Sequence, residues 1–316
     1  MKKKILILGA SGFIGRNLAE YFVKRSDYEV YGTYFNSQPF VLDGIKMIQA
    51  NLTVREEMDA LLTGMDVVIQ AAAVTSGSKD IHTRPYIHIT DNALMNSLLF
   101  RAAFEQAIPH IVFLSCSIMY QSGDKPLKES DFDAGQEIFP SYFGGGWNKV
   151  YFEKMCEFFS HLGKNCYTVI RHSNIYGPWD KYDLEHSHVL GATITKVMTA
   201  PENGTIMVWG SGDEGRDLLH IDDLVSFISI AIEGQTTPFE IYNVGRGVAV
   251  PVKNLVQKVV ELSGKNLSII HDLTKPSIKT SLSLDCSKAY QDLGWKPEIT
   301  LEEGIRRTLD WYQEYY

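Results

Sequence analysis

A short apolar run followed by three glycines at fixed spacing constrains the fold of this chain more than any other feature. Residues Ile5–Leu8 run directly into Gly9, Gly12 and Gly15, after which apolar residues recur at helical spacing. Glycine permits the tight turn, lets the backbone approach a pyrophosphate and lets helix and strand pack closely. Phosphates then lie at a helix N-terminus, where unpaired N–H groups favour anions. The pattern therefore predicts a dinucleotide-binding loop.

The cofactor expected in this loop is a nicotinamide dinucleotide. No acidic residue ends the second apolar strand, which closes with Asn36 and Ser37, so nothing there would hold the ribose diol of NAD. Arg16 is a candidate for a 2′-phosphate, and the alternative is a solvated arginine of the first helical turn. We therefore expect NADP or NAD, with NADP favoured. The predicted contacts from this part of the chain are Gly9, Ser11, Gly12, Phe13, Ile14, Gly15, Arg16 and Asn36.

Alternation of apolar runs with helical segments predicts an α/β fold with a doubly wound parallel sheet. The predicted strands are Ile5–Leu8, Glu29–Tyr34, Asp66–Gln70, His110–Leu114 and Tyr167–Arg171, with Phe239–Val244 returning to the same sheet. We expect a dinucleotide-binding Rossmann domain over residues 1–176 plus about 219–245. A smaller, discontinuous α/β substrate domain would comprise about 177–218 and 246–316 and cover the carboxyl ends of the strands.

Two finer expectations concern the second half of the chain. Asp222 is predicted to cap a helix that ends before Gly234. The tail from Val252 to Tyr316 holds two helical patterns, separated by a turn at 294–297.

Composition excludes several classes of protein. With 316 residues, a net charge of −8 and a pI near 5.6, the chain has no general nucleic-acid or anionic-membrane surface. Its four cysteines show neither metal-ligand spacing nor a disulfide framework, so no metal is expected. Apolar runs are too short for a signal peptide or a membrane span. We expect a soluble, cytoplasmic protein.

With these motifs, the chain resembles the extended short-chain dehydrogenase/reductases, and among them the NAD(P)-dependent sugar-nucleotide epimerases and dehydratases. The resemblance covers nearly the whole chain. It is carried by the glycine loop, Gln70-Ala71-Ala72-Ala73, Asn92, the serine-rich segment 115–117, Arg171-His-Ser-Asn174-Ile-Tyr176-Gly-Pro178, Gly210-Ser-Gly-Asp-Glu-Gly-Arg216-Asp217 and Leu293-Gly-Trp-Lys-Pro297. It implies that Ala71, Ala72 and Asn92 also line the cofactor.

Within this family the chain is similar to the GDP-fucose synthase group, which implies a GDP-linked sugar as substrate. The similar segments are Asn174-Ile-Tyr-Gly-Pro-Trp-Asp180, Ser187-His188-Val189-Leu190 and Val208-Trp209-Gly210-Ser211-Gly212. By the resemblance, Arg216 would bind the diphosphate, because a guanidinium meets phosphate oxygens in pairs. Relatives dimerise through two helices, here near 91–107 and 147–162, so a homodimer is implied. The substrate contacts expected are Ser117, Asn174, His188, Lys196, Trp209 and Arg216.

The resemblance also implies a catalytic tyrosine, a lysine four residues later and a serine or threonine. Residues four apart share a helix face, so the ammonium can favour the phenolate. Lys149 stands at the lysine position, but Gly145 occupies the position of the tyrosine. The hydroxyl position falls on Cys116, and Ser117 would serve if the strand end shifted by one residue. A glycine cannot transfer a proton, so the proton carrier must be another group.

Two candidates for that group come from the sequence. Three consecutive glycines make an unbroken helix unfavourable, and a loop there would fold Tyr142 inward. His188 matches a histidine that acts as an acid in the GDP-fucose synthase group. Water or a sugar hydroxyl relaying the proton is a third possibility. The function expected is oxidation, reduction or epimerisation at C4 of a nucleotide-linked sugar. The alternative is a catalytically silent relative that binds cofactor or nucleotide sugar as a sensor or scaffold.

Overall fold

The computed structural model describes residues 2–74, 86–184, 187–275 and 280–316. At its centre lies a parallel sheet of seven strands. The strands are β1 Lys3–Leu8, β2 Tyr28–Tyr34, β3 Ile45–Gln49, β4 Val67–Gln70, β5 His110–Leu114, β6 Cys166–His172 and β10 Phe239–Val244. Their order across the sheet is β10-β6-β5-β4-β1-β2-β3. The predicted doubly wound sheet is confirmed, including the late return of residues 239–244.

Helices cover both faces of this sheet, namely α1 Phe13–Phe22, α2 Arg55–Leu62, α3 Tyr86–Glu105, α4 Phe143–His161, α6 Ile221–Gly234 and α8 Ser287–Leu293. The helices of a smaller region are α5 Val189–Thr199, α7 Val252–Ser263 and α9 Leu301–Tyr315. Side chains of β1 alternate between the faces, so Ile5 and Ile7 pack with α1 and α6, whereas Leu6 and Leu8 pack with α2, α3 and α4. Burial on both faces explains the continuous apolar run.

A smaller region carries two further sheets. Strands β7 Asn174–Tyr176, β9 Gly215–His220 and β11 Ala249–Pro251 form one, and β8 Thr205–Trp209 pairs with β12 Ser268–Asp272 in the other. Helices α5, α7 and α9 share a hydrophobic core with these strands. The division into two domains at 176–177 and 245–246 stays a prediction.

Two expectations for the second half are wrong in detail. Helix α6 includes Gly234, and its N-cap is His220 rather than Asp222, because the His220 ring accepts the Asp222 amide at 3.3 Å. The tail forms three helices instead of two, since α8 is a separate helix that ends at Gly294 in a left-handed cap. The predicted turn at 294–297 lies between α8 and α9. Among the described residues, no helix has the length and apolar character needed to cross a membrane.

Candidate active site

The glycine loop fits a dinucleotide pyrophosphate. Gly9 has a φ of +77°, and a Cβ there would lie 2.7 Å from the Cα of Ala72. A Cβ on Gly15 would lie 2.1 Å from the carbonyl oxygen of Gly9, so only glycine allows this contact of helix and turn. Gly12 is the N-cap of α1 and offers no side chain of its own. The amides of the first helical turn therefore face the loop without a side-chain cap, which suits an anion.

Beyond this loop, aromatic rings hold Arg16 in a fixed position. Its guanidinium stacks 3.4 Å from the ring centroid of Trp179 and 4.3 Å from that of Phe40, and it pairs with Glu20 at 3.1 Å. Arg16 is thus not the freely solvated arginine of the alternative reading. Nearby, the Ser37 hydroxyl bonds to that of Ser11 at 2.7 Å and links the end of β2 to the loop.

The segment after β4 is held from two sides. The Ala71 amide donates to the Leu8 carbonyl at 3.1 Å, and the Ala72 amide donates to the Gln70 side chain at 3.2 Å. The Asn92 amide group donates to the Val74 carbonyl at 3.0 Å and accepts from the Val74 N–H at 3.0 Å. Asn92 therefore positions the wall of the cofactor cleft. Asn36 lies exposed beyond the end of β2.

Helix α4 contradicts the expectation of a glycine-broken helix. It runs without interruption from Phe143, with Tyr142 as its N-cap. Packing explains this: a Cβ on Gly144 would lie 2.5 Å from Ile89 Cδ1, and one on Gly146 would lie 2.9 Å from Ile138 Cδ1. Glycine costs a helix interior about 1 kcal/mol relative to alanine, but here the close approach of neighbouring side chains requires small residues. Gly145 is less confined, since its Cβ would lie 3.3 Å from Ile118 Cδ1.

Lys149 lies at the carboxyl end of β5. Its Nζ donates to the Leu114 carbonyl at 2.7 Å and lies 4.9 Å from the ring centroid of Phe113. Burial lowers the pKa of Lys149, and the nearby Cys116 and Glu153 oppose that shift. The ammonium thus faces the edge of the sheet instead of bulk water. This is the position from which it could reach a cofactor ribose.

The segment 115–117 divides its side chains between the core and the cleft. The Ser115 hydroxyl donates to buried Glu153 at 2.6 Å and is committed to the core. Burial raises the pKa of Cys116, while the Lys149 ammonium acts in the opposite direction, so the thiol lies near that lysine. Ser117 is buried, and its carbonyl accepts the Tyr120 amide at 3.1 Å. Both Cys116 and Ser117 thus stay close to the strand end.

Tyr142 lies between the two sides of the cleft. Burial raises the pKa of Tyr142, with Arg216 opposing the shift and Cys116 adding to it. Its ring packs against Phe139 with centroids 5.9 Å apart. Because α4 is continuous, the backbone positions of Tyr142 and Lys149 lie seven residues, or about 10 Å, apart along the helix axis. Tyr142 therefore stands two helical turns before the lysine instead of one.

His172 is a candidate that the sequence reasoning missed. It ends β6, and its Nδ1 donates to the Ser173 carbonyl at 2.8 Å. Its pKa is lowered to about 4, chiefly by burial and further by the charges of Lys149 and His188. His172 therefore lies in the same part of the cleft as the lysine and the N-cap of α5. The sequence signal that could have identified it is a titratable residue in the Arg171–Asn174 motif, directly after the predicted strand Tyr167–Arg171.

The expected substrate contacts are spread along the smaller region. The Asn174 side chain donates to the Asp217 carbonyl at 3.1 Å and thereby links β7 to β9. Lys196 donates to the Met207 carbonyl at 3.0 Å and lies 5.8 Å from the ring centroid of Trp209, whose surface is 48% exposed. Trp209 thus offers an open aromatic face at the end of β8.

Arg216 lies on β9, and His188 precedes α5. Arg216 donates to the Gly215 carbonyl at 2.8 Å and to the Thr280 carbonyl at 2.5 Å. His188 is the exposed N-cap of α5. Lys149 acts on the pKa of Cys116 and, with His188, on the pKa of His172, while Arg216 and Cys116 act on the pKa of Tyr142. Asn174 is engaged in holding β7 to β9.

The chain is similar to known proteins over most of its length. The family model described as "NAD dependent epimerase/dehydratase family" matches residues 5–245. A GDP-L-fucose synthase of Escherichia coli (strain K12) is 26% identical, with 99% of this chain and 97% of the relative covered. A putative GDP-L-fucose synthase 2 of Arabidopsis thaliana is 32% identical, with 78% of this chain and 75% of the relative covered.

Among solved structures, the UDP-glucose 4-epimerase of Thermotoga maritima matches with a TM-score of 0.87. The match covers 98% of this chain and 99% of that one, at 22% identity. This likeness concerns the fold.

Proposed function

The chain belongs to the NAD-dependent epimerase/dehydratase family, and we propose that it exchanges hydride between a nicotinamide cofactor and C4 of a GDP-linked sugar. The observation that carries the proposal is the position of Lys149. Its ammonium is held at the end of β5 by the Leu114 carbonyl at 2.7 Å, beside Cys116. The same sheet edge carries the glycine loop at the end of β1. Such placement suits a lysine that binds the cofactor ribose next to a reacting sugar.

The residues proposed to bind the cofactor have different roles. The amides around Gly12 would bind the pyrophosphate, and Lys149 would donate to the ribose next to the nicotinamide. Arg16, held between Phe40 and Trp179 and close to the Ser11–Ser37 pair, would meet a 2′-phosphate. This arrangement supports NADP as the preferred cofactor. When bound, the cofactor supplies or accepts the hydride, and the protein supplies orientation and proton exchange.

The sugar nucleotide would lie across the smaller region. Arg216 would bind the diphosphate, and the open face of Trp209 would pack against the nucleotide, with Lys196 beside it. Asn174 would hold the backbone next to the diphosphate through its bond to the Asp217 carbonyl. The names of the two relatives support GDP as the nucleotide, since one is a GDP-L-fucose synthase and the other a putative GDP-L-fucose synthase.

At the sugar, the proposal is that Gly145 replaces the family's tyrosine and that other groups divide its tasks. Cys116 or Ser117 would contact the reacting oxygen from the end of β5. Tyr142, between Cys116 and Arg216, would contact the sugar or its first phosphate. His188 would approach from the N-terminus of α5. Epimerisation, oxidation and reduction share this geometry.

We also propose that the protein is a homodimer through α3 and α4. Exposed large apolar side chains lie on these helices, among them Leu94, Tyr151 and Phe158, whose exposed fractions are 48%, 56% and 58%. Tyr151 and Phe158, seven residues apart, share one face of α4, and contiguous exposed apolar side chains are typical of a protein interface. Sedimentation should give a dimer for the wild type and a monomer for Phe158→Glu; a wild-type monomer would rule out this interface.

The test of the function is a turnover assay with matched nucleotides. Wild-type protein is incubated with NADPH or NADH and a GDP-4-keto-6-deoxyhexose, and with the UDP-linked analogue as control, while cofactor absorbance is followed. We expect oxidation of the cofactor with the GDP-sugar and much less with the UDP-sugar. Tight binding of cofactor and GDP-sugars with no turnover in either direction would instead identify a sensor or scaffold.

A further inference from the structure

We propose that His172 is the proton carrier that replaces the missing tyrosine. Its Nε2 would exchange a proton with the sugar hydroxyl, or carbonyl oxygen, whose carbon exchanges the hydride. This inference rests on the proposed function and names the group that serves it. The argument uses the tautomer of the ring, its place on the sheet and the charges around it.

The hydrogen bond of His172 fixes its tautomer. A carbonyl oxygen can only accept, so the 2.8 Å contact between His172 Nδ1 and the Ser173 carbonyl requires the proton on Nδ1. In the neutral ring, Nε2 then has a free lone pair. Burial keeps the ring neutral at physiological pH, since it lowers the pKa of His172 to about 4. The ring is therefore oriented and uncharged, and its Nε2 lone pair is available to accept a hydrogen bond from a sugar hydroxyl.

The sheet places His172 beside the cofactor lysine. Strands β5 and β6 are neighbours, with Leu114 opposite Ile170. His172 thus lies two residues, or about 7 Å, beyond the level at which Lys149 contacts the Leu114 carbonyl. Its neighbour Arg171 is committed to the ion pair with Glu153 at 2.7 Å in the core. Successive side chains of a strand point to opposite sides, so His172 is directed away from that pair.

Charges distinguish His172 from the other candidate. Lys149 and His188 both act on the pKa of His172. The groups that act on the pKa of Tyr142 are Arg216 and Cys116, on the diphosphate side. The charges that act on His172 thus belong to the residue proposed for the cofactor ribose and to the N-cap of α5. In the proposal, the sugar carbon that exchanges hydride lies beside that lysine and within reach of His172.

The proposed step is balanced in both directions. In oxidation, His172 Nε2 takes the proton of the C4 hydroxyl as its O–H bond breaks, and the C4–H electron pair leaves as hydride for the oxidised cofactor. In reduction, the ring first takes a proton from solvent on Nε2, and that proton goes to the oxygen as the hydride arrives at C4 from the reduced cofactor.

The experiment removes the proton carrier and keeps the bond to Ser173. In His172→Asn, the side-chain amide takes the place of Nδ1–H, but no group can carry a proton. The control is His110→Gln, because His110 is also buried, has a pKa lowered to about 4 and forms a hydrogen bond with Thr168 at 2.7 Å. His110 begins β5 and therefore lies at the opposite end of the strands from His172. We expect His172→Asn to lower turnover by about a hundredfold or more, with cofactor affinity unchanged. His110→Gln should keep the wild-type rate.

A binding readout makes the result independent of turnover. The imidazoles are isotopically labelled, the His172 signal is assigned with the Asn variant, and GDP-mannose is added to the protein saturated with oxidised cofactor. We expect the His172 signal to shift and the His110 signal to stay. An unmoved His172 signal, or wild-type turnover in His172→Asn, would overturn the proposal while leaving the proposed function standing. Absence of turnover in the wild type would count against the proposed function itself.

Discussion

The cofactor side and the sugar side of the cleft use different parts of the chain. On the proposed cofactor side the backbone would bind: Gly9 and Gly15 are required by contacts as short as 2.1 Å from an added Cβ. On the proposed sugar side the candidates are side chains at the ends of β5 and β6, and in our proposal Gly145 takes the position of the family's tyrosine. A backbone site needs its residues at fixed positions. A proton, in contrast, can be carried by any suitable group that reaches the same oxygen.

The largest effect is expected for a change at Lys149, because its ammonium would serve both the cofactor side and the sugar side of the cleft. Lys149→Ala removes the ammonium that bonds the Leu114 carbonyl and would bind the cofactor ribose. Turnover should fall by at least about a hundredfold, and cofactor affinity should fall with it, because both depend on that cation. Steady-state rates and cofactor titrations measure this. Lys46→Ala, an exposed lysine of β3 that is paired with Glu29, is the control and should behave as wild type. A wild-type rate in Lys149→Ala would refute the assignment.

A second change would sharpen the comparison by restoring the tyrosine. In Gly145→Tyr the new Cβ lies 3.3 Å from Ile118 Cδ1, so a slight movement of that side chain accommodates it. In the His172→Asn background, Gly145→Tyr should raise turnover about tenfold or more, because a phenol one helical turn before Lys149 can carry the proton. Gly145→Phe in the same background should give no recovery. Equal rates for the tyrosine and phenylalanine variants would show that the sugar oxygen is out of reach of α4.

A third change concerns the choice of cofactor. Arg16→Ala should weaken NADPH binding about tenfold, which corresponds to about 1.4 kcal/mol, and should leave NADH binding unchanged, since only NADPH carries the 2′-phosphate. Fluorescence titration with both cofactors measures the difference. Loss of affinity for both cofactors alike would mean that Arg16 only stabilises the loop through Phe40 and Trp179.

The smallest effect is expected for Tyr142→Phe. Because His172 is the proposed proton carrier, loss of the Tyr142 hydroxyl should lower turnover by only a few-fold, through a weaker contact with the substrate. Comparing kcat and KM in the wild type and the variant tests this. A hundredfold loss of kcat would instead make Tyr142 the proton carrier and remove His172 from that role.

Much of the fold could be predicted from the sequence because buried parallel strands leave continuous apolar runs, as in β1 and β5. Strand β3 was missed because Ile45–Gln49 is only partly buried and includes Lys46 and Gln49. The glycines of α4 gave the wrong prediction because their close packing against Ile89 and Ile138 is a tertiary effect, and it overrides helix propensity.

The cofactor side of the site was more predictable from the sequence than the sugar side. The glycine loop follows from spacing alone. His172 could not be selected from its motif, because its importance depends on the Ser173 carbonyl and on charges from Lys149 and His188, which are distant in sequence. Arg16 had two readings, and the rings of Phe40 and Trp179, which the fold brings against its guanidinium, exclude the freely solvated one; the 2′-phosphate role stays a prediction.

Hydride transfer itself is the most direct test of the account. The wild-type protein is mixed with a GDP-4-keto-6-deoxyhexose and a cofactor carrying deuterium on the transferable position of the nicotinamide. Mass spectrometry and NMR of the product should find one deuterium, bonded to C4 of the sugar. Product without deuterium at C4, or a cofactor that keeps its label while GDP-sugar and cofactor are both bound, would contradict the account.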